Sequence, residues 1–253
     1  MKNLLAKSFI ALSITLLLAL LSYTYKVGYL GRFLVLINAN FLELPTDVLS
    51  STAWWKDEVR RQLVATTGEQ YKVCLFGDSI TSPLGNTLGN QTYNFAEPGM
   101  STISLIIQLK DLSVVNVKCQ NAIIAIGTND ADYRTMDNQF IRNMKQIIPM
   151  VKHMGAKRII LLPAFYSTVA ASHDVTMAGT IERVERINEL IHQVVRTEKI
   201  SVSSEGIQLL YHGRALKESL TIDGVHLNEN GKKVYKEALL KILSSNGIEI
   251  KEE

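Results

Sequence analysis

YKVCLFGDSIT, residues 71–81, reads as a short apolar strand that stops at Gly77-Asp78-Ser79. Val73, Leu75 and Phe76 supply the strand character, and Gly77 permits a tight turn that a bulkier residue resists. Ser79 therefore stands at the carboxyl end of a strand. In open parallel α/β sheets that edge binds ligands, because strand ends and helix N-termini converge there. A lone Gly-Asp-Ser is a weak signal, since Asp78 or Ser79 serves equally well as the cap of a following helix. The other loops decide between the two.

Downstream the pattern alternates strand and helix. Thr92–Phe95 is a short strand leading to Pro98-Gly99, and Ser101 caps a helix through Leu112. Asn121–Ile126 is a buried strand ending in Gly127-Thr128-Asn129-Asp130. The helix from Asp137 to Met154 gathers Phe140, Met144, Ile147 and Val151 on one face. Arg158–Leu162 is a fourth strand, stopped by Pro163 and opening into Phe165-Tyr166. Thr176–Lys199 has helical spacing, Ile207–Tyr211 is the last strand, and Asn230–Leu243 is the last helix. This alternation predicts a parallel sheet covered by helices on both faces.

Upstream, the eighteen uncharged residues between Lys7 and Lys26 match the roughly 17–25 needed for a membrane-spanning helix. The rival is a cleaved signal peptide, with Lys2 and Lys7 as its basic start. Tyr23 and Tyr25 as interfacial anchors, and the lack of an Ala-x-Ala site, favour a retained single-pass anchor. The expected organisation is an anchor or signal over 1–26, a juxtamembrane linker with a short helix over 27–68, and a catalytic domain over 69–253. That domain is expected outside the cytoplasm, periplasmic or extracellular, or secreted if the segment is cleaved. Trp54 and Trp55 fit either the lipid headgroup region or packing at the domain edge.

At 253 residues and 47% hydrophobic content there is one catalytic-size core and little beyond it. A net charge of +3, with no basic stripe carrying aromatics, argues against nucleic-acid binding. Cys74 and Cys119 read as two small buried hydrophobes rather than a bridge. The five histidines are scattered, with no HExxH and no paired CxxC, so neither metal nor organic cofactor is expected.

Three further loops carry groups that acyl transfer needs. Gly99 can present a backbone N–H, and the Asn129 amide can point a second donor at the same place. In Thr221–Asn228, TIDGVHLN, Asp223 lies three residues before His226, so one loop holds both a base and the carboxylate that fixes its tautomer. Singly, each has a structural reading as a turn or cap. Together, four strand-end loops each offer a group that fits a different role in one reaction.

These blocks resemble the GDSL-type, or SGNH, serine hydrolases: Phe76-Gly77-Asp78-Ser79-Ile80, Asn94 through Gly99, Gly127-Thr128-Asn129-Asp130, and Asp223 through Asn228, in the family's order. The resemblance covers about Tyr71 to Leu243. It implies a flavodoxin-like three-layer α/β/α sandwich with Ser79 as nucleophile, and His226 as base supported by Asp223. Gly99 and Asn129 would join the Ser79 N–H in the oxyanion hole. One departure concerns the mouth: many members carry Gly shortly after the serine, where this chain has Ser82-Pro83 and reaches Gly only at Gly85. Expected substrates are carboxylic esters with a small acyl group, such as acetyl on an envelope glycan. Phe165 and Tyr166, with Glu97, Met100 and Tyr133, are candidate wall residues. Acyl transfer to a sugar hydroxyl, lysophospholipase or lipase action, and an inert membrane-tethered binding module stand as alternatives.

Overall fold

The computed structural model describes residues 47–174 and 176–250. Its centre is a five-stranded sheet of β1 (Gln70–Gly77), β2 (Thr92–Asn94), β3 (Lys118–Ala125), β4 (Arg158–Leu161) and β5 (Ser201–Val202). The strands run parallel in the order β2-β1-β3-β4-β5. In this arrangement the chain turns to opposite sides of the sheet after β1 and after β3, which leaves a crevice at their carboxyl ends. The register brings Gly77 opposite Ala125, so the loops after β1 and β3 emerge side by side.

Helices cover both faces because the central strands are apolar on both. Cys74, Phe76, Ala122 and Ile124 face a cluster built with α2 (Thr102–Val114), α4 (Asp137–His153) and α6 (Ile181–Glu198). Val73, Leu75, Ile123 and Ile160 face the opposite cluster, with Tyr235, Leu239 and Ile242 of α7 (Glu229–Ser245). Short helices α3 (Thr128–Asp132) and α5 (Val169–Ser172) lie in the loops after β3 and β4.

Several expectations change. The Ile207–Tyr211 stretch is a 3-10 turn over Ile207–Leu210, followed by Tyr211–His212 pairing antiparallel with Ala215–Leu216 in a separate two-stranded ribbon. The last sheet strand is instead Ser201–Val202, too short and too polar at Ser201 to show as an apolar run. The helix expected from Thr176 begins at Ile181, where the Thr180 hydroxyl accepts from the Arg183 N–H.

Cys74 and Cys119 are joined as a disulfide with Cα atoms 5.7 Å apart, which corrects their reading as separate hydrophobes. They lie on neighbouring strands, an adjacency that sequence separation does not reveal. The helix expected in the linker is α1 (Ala53–Thr66), capped by Thr52. Trp55, Val59, Gln62 and Thr66 are buried, whereas Trp54 is about half exposed, so α1 packs on the catalytic domain. Among the described residues no helix is long and apolar enough to cross a membrane. The span expected between Lys7 and Lys26, and the apolar stretch Val27–Leu44, lie outside the described residues.

Candidate active site

The turn after β1 is built so that only glycine fits at its start. A Cβ on Gly77 would stand 2.8 Å from Thr81 Oγ1 and 3.0 Å from the Ala125 carbonyl. Beyond it, the Asp78 carbonyl accepts from the N–H groups of Thr81 and Ser82, and Ser82–Leu84 forms a 3-10 turn with Pro83 inside it. Asn94, at the end of β2, donates to the Thr81 and Gly85 carbonyls and ties this turn to the neighbouring strand. The Ser82-Pro83 departure is thus a closed turn, held from both ends.

Asp78, the residue before Ser79, is buried. Burial raises its pKa to about 6, against the pull of the Ile80 N–H, the Thr128 hydroxyl and nearby His226.

The loop ahead of α7 is equally fixed. The Thr221 hydroxyl donates to the His226 carbonyl and accepts from the Gly224 N–H, and the Gly224 carbonyl accepts from Thr168 N–H beside α5. Gly224 has φ of +91° and lies so close to α5 that a Cβ would stand 2.8 Å from Ala171 Cβ. Asn228 caps α7 through the Gly231 N–H.

This loop sets the Asp223 carboxylate. Its Oδ1 accepts from the N–H groups of Val225 and His226 at 2.9 and 2.8 Å, and its Oδ2 lies 2.7 Å from His226 Nδ1. Partial burial raises the Asp223 pKa, but the His226 ring and the two N–H donors outweigh it and hold it below the ordinary value. A carboxylate only accepts, so Nδ1 carries the ring proton and Nε2 is left as acceptor. His226 Nε2 lies 3.0 Å from Ser79 Oγ. The imidazole therefore bridges a hydroxyl and a carboxylate from two ends of the chain, an arrangement able to draw the hydroxyl proton and stabilise the resulting imidazolium.

Across the crevice, Asn129 lies in α3 and its Nδ2 donates to the Met100 carbonyl at 3.0 Å. An amide has two N–H bonds, so this tether uses one and leaves the other. Tyr133 O–H donates to the Gly99 carbonyl at 2.9 Å. Both carbonyls of the Gly99-Met100 turn are therefore committed to the Asn129–Tyr133 segment.

A cavity of about 30 Å³ opens beside these groups, lined by Ile80, Thr128, Asn129, Phe165, Met177 and Val225 among others. Tyr166 also lines it, with its hydroxyl donating to Glu185. Phe165 is buried and meets Tyr235 edge-on at 5.0 Å. Of the other candidate wall residues, Met100 is core and Glu97 is buried against Gln62, while Tyr133 contacts the Gly99 turn. Met177 and Val225 had no sequence signal of their own, since their place depends on how the loops before α6 and α7 fold over the crevice.

Fold and site together define an ester hydrolase on an α/β/α sandwich. Residues 75–234 match the model of the GDSL-like lipase/acylhydrolase family, and the chain belongs to that family. Among solved structures, it resembles a GDSL-like lipase from Bacteroides thetaiotaomicron (16% identity, TM-score 0.61, covering 75% of this chain and 97% of that one). It also resembles an acetylxylan esterase, Axe2, from Geobacillus stearothermophilus (15% identity, TM-score 0.52, 70% and 95%). A third is a lipase/acylhydrolase from Enterococcus faecalis (18%, TM-score 0.53, 72% and 98%). At these identities the likeness shows the fold. No curated protein matches the sequence.

Proposed function

We propose that the protein is a small-acyl carboxylic esterase working through Ser79, His226 and Asp223. The observation that carries the reading is the His226 ring held 3.0 Å from Ser79 Oγ and 2.7 Å from Asp223 Oδ2. Ser79 Oγ attacks the ester carbonyl as His226 Nε2 takes its proton. The oxyanion forms against the N–H groups of Ser79 and Gly99 and the second N–H of Asn129. His226 then protonates the leaving alcohol as the C–O bond breaks. Water, giving a proton to the same Nε2, attacks the acyl-enzyme, and the acid departs with Ser79 restored.

The small cavity beside Asn129, bounded by Phe165 and Tyr166, supports a short acyl group over a long lipid chain. Localisation outside the cytoplasm is supported by the Cys74–Cys119 disulfide, since such bonds persist mainly in oxidising compartments. A membrane tether is supported by the uncharged run between Lys7 and Lys26.

The test is hydrolysis of p-nitrophenyl esters of increasing acyl length by the full chain, beside Ser79→Ala and His226→Ala. Acetyl ester turnover that disappears in both variants and declines with acyl length is the expected result. Undiminished activity in Ser79→Ala overturns the serine mechanism.

A further inference from the structure

We propose that Asp47 and Leu49, which lie ahead of the family-matched residues 75–234, are positioning residues for the turn that carries the Gly99 N–H. The inference rests on the oxyanion assignment made above.

Gly99 adopts φ of +77° in the short link between β2 and α2. The link has no helix or strand; its own backbone bonds include the Met100 N–H to the Glu97 carbonyl at 3.2 Å and the Glu97 N–H to the Gly77 carbonyl at 3.1 Å, so the direction of the Gly99 N–H depends also on what grips the turn from either side. One grip comes from the segment after β3. Tyr133 and Asn129 hold the Gly99 and Met100 carbonyls, and Asp130 accepts from the Thr102 N–H at 3.0 Å and the Thr102 hydroxyl at 2.6 Å.

The second grip is Asp47, which is 6% exposed. Its Oδ2 accepts from the Ser101 hydroxyl at 2.5 Å, the Ser104 hydroxyl at 2.7 Å and the Ser104 N–H at 3.2 Å. Its Oδ1 accepts from the Leu49 N–H at 2.8 Å, which orients the carboxylate and starts the 3-10 turn Leu49–Ser51. That turn lays both Leu49 methyl groups 3.8 Å from the point where a Cβ on Gly99 would stand. A carboxylate at the N-terminus of α2 is also favoured by the helix dipole.

The donor turn is thus clamped between two carboxylates, Asp130 from inside the family region and Asp47 from outside it. Removing Asp47 deprives the Ser101 hydroxyl and the N–H groups of Ser104 and Leu49 of this acceptor, leaves the Ser104 hydroxyl the Ser101 carbonyl at 3.3 Å, and frees Leu49 from the turn. Oxyanion donors work only when aimed at the place where charge develops, so a loosened turn costs transition-state stabilisation rather than substrate affinity.

The experiment uses full-length Asp47→Ala, Asp47→Asn and Leu49→Ala with p-nitrophenyl acetate. A trifluoromethyl ketone, whose adduct with Ser79 places an oxyanion on the same donors, is the second probe. Each variant is assayed below its own melting temperature. In Asp47→Ala, kcat should fall about ten-fold or more with KM within about two-fold, and the ketone should weaken by the same factor as kcat/KM. Asp47→Asn, which keeps one acceptor oxygen, should fall between wild type and alanine. Should Asp47→Ala fail to fold, Leu49→Ala leaves every Asp47 bond in place and is expected to shift kcat and ketone affinity in the same direction. Unchanged kcat and ketone affinity in the folded variants, with only the melting temperature lowered, would make Asp47 and Leu49 purely structural and overturn the proposal. Ser79→Ala separates the two readings: activity surviving in that variant indicts the serine mechanism itself, not the clamp.

Discussion

Gln62 on α1 donates across 2.5 Å to the buried carboxyl of Glu97, the residue two before Gly99. Gln108 on α2 completes the set by donating to Gln62 Oε1 and to the Phe95 carbonyl, so α1, α2 and the β2 loop share one buried polar network. Burial raises the Glu97 pKa from 4.5 to about 8, with Glu58 adding to the rise and Arg61 opposing it. Between those values the folded state holds more protons than the unfolded one, so the stability it contributes is full below about 4.5 and is lost as pH rises toward 8. Glu97→Gln keeps an acceptor for Gln62 and cannot ionise. Its melting temperature should match wild type near pH 5 and exceed it by a few degrees near pH 8.5. A difference that does not vary with pH would show that the carboxyl does not ionise in this range.

The Asn129 and Asp223 assignments make separable demands on kinetics. On the proposed mechanism Asn129→Ala removes one oxyanion donor, for which turnover typically falls ~10²–10³. It also cuts the tether to Met100, so part of the loss passes through the Gly99 turn. Asp223→Asn presents an amide N–H to Nδ1 and favours the tautomer with its proton on Nε2, facing Ser79. The expected fall in kcat is about 10⁴-fold. Both variants should melt close to wild type, by circular dichroism, because neither side chain is core. Near-wild-type turnover in either would remove that residue from the mechanism.

Much of this site was legible because its groups sit at strand ends, where apolar runs stop abruptly. YKVCLFG followed by Asp-Ser, and NAIIAI followed by Gly-Thr-Asn, each marked an edge. The DGVH spacing put Asp223 and His226 in one turn, and His226 Nε2 lies 3.0 Å from Ser79 Oγ. What stayed hidden depends on which elements become neighbours. The Cys74–Cys119 bond joins β1 to its neighbour β3. Asp47 is a single acid in an unpatterned stretch, and only the fold brings it onto Ser101 and Ser104. Ile207–Leu210 has the composition of a strand, yet it is a 3-10 turn that puts Ile207 and Leu210 into the core beside α7 and leaves Leu209 exposed.

The disulfide closes a sequence separation of 45 residues across the centre of the sheet. Chain-entropy reasoning assigns a loop of that length about 4 kcal/mol of stabilisation. Cys74→Ser with Cys119→Ser should therefore unfold at clearly lower urea concentration than wild type, and reduced wild type should approach the double variant. Equal midpoints for oxidised and reduced wild type would mean that the bond adds nothing to stability.

Acyl-length preference should be set by Met177. It lines the cavity beside Asn129 but is 40% exposed, so it bounds the cavity on the solvent side without anchoring the core. Phe165, on the inner side, is 5% exposed and packs on Tyr235, and its truncation would cost roughly 3–5 kcal/mol of stability and confuse the reading. Gly179, in the same loop, has Ala131 backbone 2.7 Å from where a Cβ would stand, so that end of the wall cannot be altered without moving α3. Met177→Ala removes volume from the movable side alone. It should raise kcat/KM for butyryl and hexanoyl esters relative to acetyl by several-fold, since one methylene in an apolar pocket is worth about 10–200-fold in discrimination. Met177→Trp should narrow the preference toward acetyl, with acetyl turnover itself little affected. If both variants keep the wild-type ratio across acyl lengths, the acyl chain does not enter this cavity, and the small-acyl reading loses its structural support.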